Sequence, residues 1–286
     1  MNSHCILVDD DDEIRQGDVI TRLPTNSAND TVWGCVLTAD CDIAQKKVRD
    51  YYTCLEIVPA SYYIEKYWAA EQLHRLIEKH VPVAIQGIAG LTKSAGYDVT
   101  PLTPSSLRDW LSDKRGDDIV ASISKPGTAN ARLVAVLNAL RIALGHEGPI
   151  SQLSRLRSAW ALLGLREPSQ QARIREAFDP DRGFPDFLLV PEIRECPGYG
   201  YVVLLRSLWT LAAKDLFRSE LDARINDRPD AFHRIGRFND TLRFAIAQKL
   251  AFLFSRIGMP IEYEQACESA TDLLVETIFM SSSGAD

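Results

Sequence analysis

Alternating hydrophobic and polar positions at the two ends of the chain predict β-strands. β-Branched and aromatic residues dominate these segments, and Gly, Pro, Asn and Asp residues separate them. The predicted strands near the N-terminus cover residues 18–21, 32–38 and 52–58. Three more follow after a long interval, at residues 186–193, 201–208 and 231–237. The pattern therefore predicts two strand-rich parts with a region of different character between them.

Hydrophobic positions three and four residues apart predict helices in the middle of the chain. The predicted helices cover residues 61–80, a short segment from Ser105 or Ser106 to Trp110, and residues 129–144, 150–163 and 169–178. Breaks between residues 81 and 127 are predicted at Pro82, Pro101, Pro104 and Pro126. After the last strand, two further helices are predicted, one from Asn239 or Asp240 to Arg256 and one over 262–279.

This order of elements favours an α+β fold in which a helical insertion interrupts one small β barrel. The barrel would combine residues 1–60 with residues 184–258, the second part ending in a closing helix. The insertion would be 61–183, and 259–286 would form a C-terminal helix and tail. The expected shared core of the barrel is Trp33, Val36, Leu55, Ile57, Leu189, Val203 and Leu205. The alternative is two separate β parts that flank a helical domain.

Composition narrows the function classes. The chain has 286 residues with 46% hydrophobic content, enough to bury a sizeable core, and a net charge of −7 argues against a DNA-coating protein. The six cysteines show no C-x-x-C spacing, which favours reduced thiols and a cytoplasmic location. The N-terminus does not resemble a secretory signal, and no apolar stretch reaches the ~18 residues of a membrane span, so no membrane partner is expected.

Several short motifs recur in an order that resembles the PemK/MazF-like toxin family. They are residues 17–20 (Gly-Asp-Val-Ile), 35–38 (Cys-Val-Leu-Thr), 57–61 (Ile-Val-Pro-Ala-Ser) and 234–242 (Arg-Ile-Gly-Arg-Phe-Asn-Asp-Thr-Leu). Together the matching parts cover about half of the chain. The resemblance implies an SH3-like barrel closed by a C-terminal helix.

The same resemblance implies cleavage of single-stranded RNA, with an arginine from the first loop or barrel wall and a Thr, Ser or Asp near the third strand. The chain departs from the family at this site, because its first loop, 25–31, has no arginine and residues 31–32, Thr-Val, replace the family's Arg-Pro. The nearest candidates for these catalytic roles are Arg22 and Ser61.

Asp40, Cys41 and Asp42 directly follow the second predicted strand, where site residues are often presented. The two carboxylates could bind a cation or act as acid and base. Cys41 is a poor nucleophile there, since nearby negative charge disfavours the thiolate. The alternative interpretation is an Asp-rich turn. We expect the three residues at the rim of the barrel, next to the polar loop 24–31.

Basic residues suggest two further surfaces. Arg234 and Arg237, beside His233, could form a basic edge of the last strand that faces RNA. The alternative is an exposed basic edge that contacts only solvent. Residues 129–175 carry seven arginines against two glutamates, a basic island in an acidic chain that could meet phosphates or an acidic partner. Residues 9–13, four aspartates and a glutamate, are interpreted as a solvated acidic run.

Two functions follow from these observations. The first is a binding or regulatory module of a bacterial toxin–antitoxin, stress or phage-defence system. The second is an endoribonuclease with an active site rebuilt around Asp40 and Asp42. A protein partner is expected, with RNA and a second copy of the chain as alternatives. No metal and no cofactor are predicted, because Cys41, Cys54, His74 and His80 lack the spacing of zinc ligands.

Overall fold

Eight strands from the two ends of the chain form one curled, half-barrel sheet in the computed structural model. The structure describes residues 4–22, 31–47, 50–97, 100–125, 130–178, 186–193, 196, 200–255 and 261–282. The strands are β1 Cys5–Ile6, β2 Asp18–Arg22, β3 Val32–Val36, β4 Tyr51–Pro59, β5 Phe187–Val190, β6 Tyr201–Ala212, β7 Leu216–Phe217 and β8 Phe232–Phe238. Their order is β1-β8-β2-β3-β4-β6-β5, and β7 pairs with β8. Only the β7–β8 pair is parallel among the described pairings.

Strands distant in sequence lie side by side in this sheet. β2 pairs with β8, with Asp18 opposite Arg237, and β4 pairs with β6 along its whole length. The prediction of one continuous sheet is therefore confirmed, and the alternative of two separate β parts is wrong. β1 and β5 stand at the two ends of the strand order.

The sheet buries hydrophobic side chains on both faces, which changes the predicted core. Val36 lies opposite Cys54 and packs with Ile20 on one face, whereas Leu55 lies opposite Cys35 and therefore faces the other way. Val36 and Leu55 are both fully buried but do not share one core. Leu189 was also placed wrongly, because β5 is an edge strand and this side chain is 38% exposed.

One short helix, α1, lies between β3 and β4, and all the other helices of this part of the chain lie between β4 and β5. The helices are α1 Asp40–Ala44, α2 Ala60–Tyr63, a π-helical turn Ile64–Trp68, α3 Ala69–Ala95, α4 Pro104–Asp113, α5 Gly116–Ile123, α6 Ala131–Ala143, α7 Gln152–Leu162 and α8 Glu167–Glu176. Helical spacing in the sequence predicts a common core in this region, and the structure confirms it for Leu133, Val136, Leu137, Leu140, Leu153, Leu156, Trp160 and Leu163. α1 and α5 were not predicted.

The predicted break at Pro82 is wrong, since α3 continues through it for 27 residues in all. Pro82 is exposed, so the carbonyl of Glu78, which loses its intrahelical partner, can bond to water. Buried side chains continue on both sides of the proline, from Leu76 to Ala84. Packing of this face against α6 outweighs the ~3 kcal/mol penalty of a helical proline.

A further helix, α9 Glu220–Ile225, lies between β7 and β8, and two more, α10 Asp240–Phe254 and α11 Ile261–Ser282, follow the last strand. Of the two predicted caps of α10, Asn239 and Asp240, it is Asn239 whose Oδ1 accepts a hydrogen bond from the Leu242 N–H, at 3.0 Å. The chain divides into two compact units, residues 1–243 and 244–286. Docking of α10 on the sheet stays a prediction, and Arg256 lies outside the described residues.

Candidate functional site

The predicted catalytic residues lie at opposite ends of the β2–β3 hairpin. Arg22 pairs with Val32 at one end, and Ser61 follows β4 at that same end, where Ile57 pairs with Trp33. Asp40 follows the other end of β3. Because β3 is five residues long, its two ends lie about 15 Å apart. The described residue of the polar loop, Thr31, also lies far from Asp40, and the rest of that loop lies outside the described residues.

Asp40 holds three parts of the fold together. Its Oδ1 accepts from the Gln16 N–H at 2.7 Å, and its Oδ2 accepts from Arg243 Nη1 at 2.7 Å. Gln16 also donates to the Leu37 carbonyl through its side chain, at 3.0 Å. Gly17 has φ of +88°, and a Cβ there would lie 2.9 Å from the Arg243 Cδ. Both carboxylate oxygens of Asp40 therefore form bonds within the fold, where the chain before β2, α1 and the start of α10 meet.

Cys41 and Asp42 remain at the surface beside this junction. Cys41 is exposed and Asp42 is half-buried, and the Cys41 Sγ lies 3.7 Å from Asp42 Oδ1. Cysteines are activated by neighbouring cations, whereas the group that contacts this thiol is a carboxylate. The pair can offer a negative charge to a partner, but its geometry does not activate the cysteine.

Arg234 and Arg237 surround a buried carboxylate, so the predicted exposed basic edge is wrong. Arg237 donates to the two oxygens of Asp18, from Nε at 2.5 Å and from Nη2 at 3.3 Å, and Arg234 Nη1 lies 3.5 Å away. Asp18, Arg234 and the neighbouring His233 are all buried. The reason is topological: β8 lies between β1 and β2, inside the sheet.

The two arginines also bind the main chain of the acidic segment, which we define as residues 9–13. Arg234 donates to the carbonyls of Asp9, Asp12 and Glu13 at 2.7, 3.0 and 3.1 Å, and Arg237 donates to Glu13 at 3.1 Å. The side chains of the whole segment are exposed. The fold therefore anchors the backbone and presents five carboxylates to solvent. Sequence reasoning missed this arrangement, because the segment and the arginines are more than 200 residues apart.

The arginines favour the charged form of the buried Asp18. Burial raises the pKa of Asp18 from its ordinary value, and the hydrogen bond from Arg237 opposes this most strongly. The Arg15 N–H adds a bond to Asp18 Oδ2 at 2.8 Å. A buried carboxylate is tolerated when charge and hydrogen bonds surround it in this way.

The other predicted catalytic residues make local contacts. The Arg22 guanidinium lies 5.3 Å from the centre of the Phe232 ring. Ser61 is exposed in the first turn of α2. Among the described residues, no hydrogen bond joins either side chain to a base or to another polar side chain. Within the described part of the chain, Arg22, Ser61 and Asp40 do not form one site.

The basic island is divided between structural and surface roles. Arg141 donates to the carbonyls of Leu111, Ser112 and Lys114 at the end of α4, and Arg157 lies 3.8 Å from Glu167. Arg132 and Arg173, in contrast, line a cavity of about 660 Å³ with residues of α3 and α7. The sequence placed these two arginines in a basic region, but it did not indicate that they line one cavity with residues of α3.

No group of three or more His, Cys, Asp or Glu side chains suited to a metal ion occurs among the described residues. No helix in that part of the chain has the length and apolar character needed to cross a membrane. Comparison of the chain with protein-family models, with curated proteins and with solved structures finds no match.

Proposed function

We propose that the protein is a non-catalytic binding module of a bacterial toxin–antitoxin, stress or phage-defence system, with a PemK/MazF-like, SH3-like barrel as its sheet. The observation that carries the proposal is the engagement of Asp40 with Gln16 and Arg243. A nuclease rebuilt around this carboxylate would need it near a nucleophile or a substrate phosphate. Arg22 and Ser61, at the other end of the hairpin, cannot supply these groups.

The binding surface is the acidic segment, residues 9–13, together with Asp42. The link between them is Gln16, three residues after the segment, whose N–H donates to Asp40, two residues before Asp42. Because Arg234 holds the backbone of the segment, binding requires little further loss of conformational entropy. A concentration of carboxylates attracts a basic partner over several ångströms and speeds its association. The partner is therefore a lysine- or arginine-rich protein segment.

Purified protein incubated with labelled single-stranded RNA tests the non-catalytic part. We expect the RNA to stay intact, and Arg22→Ala, Ser61→Ala and Asp42→Asn to behave like the wild type. Cleavage by the wild type that any of these three variants abolishes would overturn the proposal and establish the nuclease instead.

Titration with a short lysine-rich peptide tests the binding part. Asp10→Asn/Asp11→Asn should weaken binding, since it removes two exposed charges without touching the carbonyls that Arg234 holds. Glu262→Gln/Glu268→Gln removes the same charge from exposed positions of α11 and is the matched control. Binding should also weaken as salt is added. Equal weakening by both double variants would mean that net charge alone, and not this surface, binds the peptide.

An Asp40→Asn/Asp42→Asn variant is unsuitable for this test, because Asp40 also holds Gln16 and Arg243. Neutralising Asp40 would remove its ion pair with Arg243, whose side chain is only 16% exposed. A loss of binding could then reflect a displaced α1. Asp42→Asn alone avoids this ambiguity.

A further inference from the structure

A cavity in the helical region combines positive charge with apolar walls. Residues of α3, α6, α7 and α8 line it, and its volume is about 660 Å³. That volume lies within the range of sites that bind drug-sized ligands. The cavity is distinct from the acidic segment, which lies against the sheet.

Three cations from three different helices face this cavity: Lys79 of α3, Arg132 of α6 and Arg173 of α8. Within the described residues, none of them has an ion pair, and no carboxylate lines the cavity. A fourth cation, Arg75, is paired with Glu71 at 2.5 Å. The lining of the cavity therefore carries net positive charge, which favours an anionic ligand.

The walls between the cations are apolar. Leu76, Val136 and Trp160 form a buried part, and the Arg173 guanidinium lies 5.2 Å from the centre of the Trp160 ring. Val83 and Leu162 are 44% and 40% exposed, which is high for aliphatic side chains that line a concave surface. A ligand body that covers these two side chains would gain hydrophobic burial.

Two polar features complete the site. His80 lines the cavity, and its buried Nδ1 has no hydrogen-bond partner among the described residues. Burial, and then the charge of Lys79, lowers the pKa of His80, so its ring is neutral near pH 7 and can donate or accept one bond there. Gly164 ends α7 with φ of +84°, and no atom lies within 4 Å of the place where a Cβ would be. The backbone is therefore open to the cavity at this point.

We propose that this cavity binds a nucleotide, with its phosphates between Lys79, Arg132 and Arg173 and its base against the apolar wall of Val83 and Leu162. Charge-assisted hydrogen bonds from lysine and arginine are the usual means of holding phosphate. A simple anion would leave the exposed aliphatic side chains uncovered, and an apolar ligand would leave the cations unpaired.

Calorimetric titration of the full chain with ADP tests the site, with pyrophosphate and adenosine as partial ligands. We expect saturable binding of ADP at concentrations below about 1 mM, and weaker binding of both partial ligands. Arg132→Met and Lys79→Met should each weaken ADP binding about tenfold, the loss expected for one charge-assisted contact. Both residues are exposed, so the variants should keep the wild-type circular dichroism and melting temperature.

Arg108→Met is the matched control, because Arg108 is an exposed arginine of α4 that does not line the cavity. It should leave the affinity for ADP unchanged. Equal affinity for ADP and pyrophosphate would overturn the nucleotide assignment in favour of a plain anion site. Tighter binding of a single-stranded oligonucleotide, with the same sensitivity to Arg132→Met, would overturn it in favour of RNA. Absence of ADP binding overturns this inference alone, since peptide binding to the acidic segment is measured separately.

Discussion

At the scale of single residues, the central feature is a carboxylate buried in the sheet. Asp18 begins β2 and is fully buried, yet it accepts bonds from the Arg237 side chain and the Arg15 main chain. The same arginine, with Arg234, holds the acidic segment. One buried ion network thus joins the sheet to the surface that we propose as the binding site.

Asp18→Asn should therefore lower the free energy of unfolding by about 3–5 kcal/mol, the range for breaking one side of a buried ion pair. The substitution keeps the shape of the side chain but leaves the buried Arg234 and the largely buried Arg237 without this counter-charge. Urea denaturation measures the change. Asp230→Asn, at an exposed position in a 3.9 Å contact with Arg228, is the control and should change stability by less than about 0.5 kcal/mol. A similar small change for Asp18 would show that the network contributes little.

The cysteines differ in reactivity because they differ in burial. Burial raises the pKa of Cys54 to about 12 and that of Cys35 well above its ordinary value, whereas Cys41 is exposed. In the native protein at pH 8, a thiol reagent should modify Cys41 within minutes and leave Cys35 and Cys54 intact until denaturant is added. Peptide mass mapping identifies the sites. Early modification of Cys54 would mean that the sheet opens readily.

At the scale of elements, one side chain connects α7 to the chain that leaves the sheet. Glu65 lies in the π-helical turn, and its carboxylate accepts from the Ser151 hydroxyl at 2.8 Å and from the N–H groups of Gln152 and Leu153 at 2.6 and 3.0 Å. The first N–H groups of a helix have no partner within it and favour negative charge. π-Helical turns often mark such specialised positions. Glu65 thus caps a helix that lies far along the chain.

Glu65→Ala should lower the free energy of unfolding by about 1–3 kcal/mol, the range for charge-assisted bonds to a helix end. Burial acts to raise the pKa of Glu65, but the bonds from Leu153, Ser151 and Gln152 outweigh it, so the folded-state pKa lies below the unfolded one. The stabilisation is therefore complete above the ordinary pKa of glutamate and is lost as the pH falls through the lowered pKa.

Denaturant titrations of wild type and Glu65→Ala at several pH values measure this dependence. The two proteins should differ most near neutral pH and converge in acid. Glu71→Ala is the control, because Glu71 forms an exposed pair with Arg75 on α3 and should contribute less than about 1 kcal/mol. A difference between wild type and Glu65→Ala that does not change with pH would show that the charge of Glu65 is not involved.

At the scale of the whole first unit, the sheet joins distant parts of the chain. β2 pairs on one side with β3 and on the other with β8, and β6 lies between β4 and β5. The helices of 60–176 form a separate hydrophobic cluster, within the chain that connects β4 to β5. The strands from the two ends of the sequence therefore depend on each other for their hydrogen bonds.

Amides that bond across the β2–β8 ladder should consequently exchange with the same free energy of opening, because both strands lose this ladder when either one leaves. Native-state hydrogen exchange at increasing denaturant measures this. The acidic segment is the internal comparison, and its exposed residues should exchange at a lower free energy. If β8 opens well before β2, the last strand is only an added edge and the sheet does not unfold as one unit.

Sequence periodicity alone determined most element positions. The strands at 18–22, 51–59 and 232–238 and the helix Ala131–Ala143 lie where alternation and helical spacing placed them. These patterns are local consequences of backbone geometry, so a short window of sequence contains them. The common core of Leu133, Leu137 and Trp160 was predictable for the same reason.

Only the tertiary structure decided which charged groups meet. Arg234 resembles a surface residue in the sequence, but β8 lies inside the sheet and buries it against Asp18. Asp40 accepts a bond from Arg243, and Lys79 lines the same cavity as Arg132 and Arg173, although these residues are far apart in the sequence. Periodicity shows which face of an element is apolar, but it contains no information about which distant element will cover that face. Ion pairs and cavities depend on which distant elements come together, and packing of the complete chain decides this.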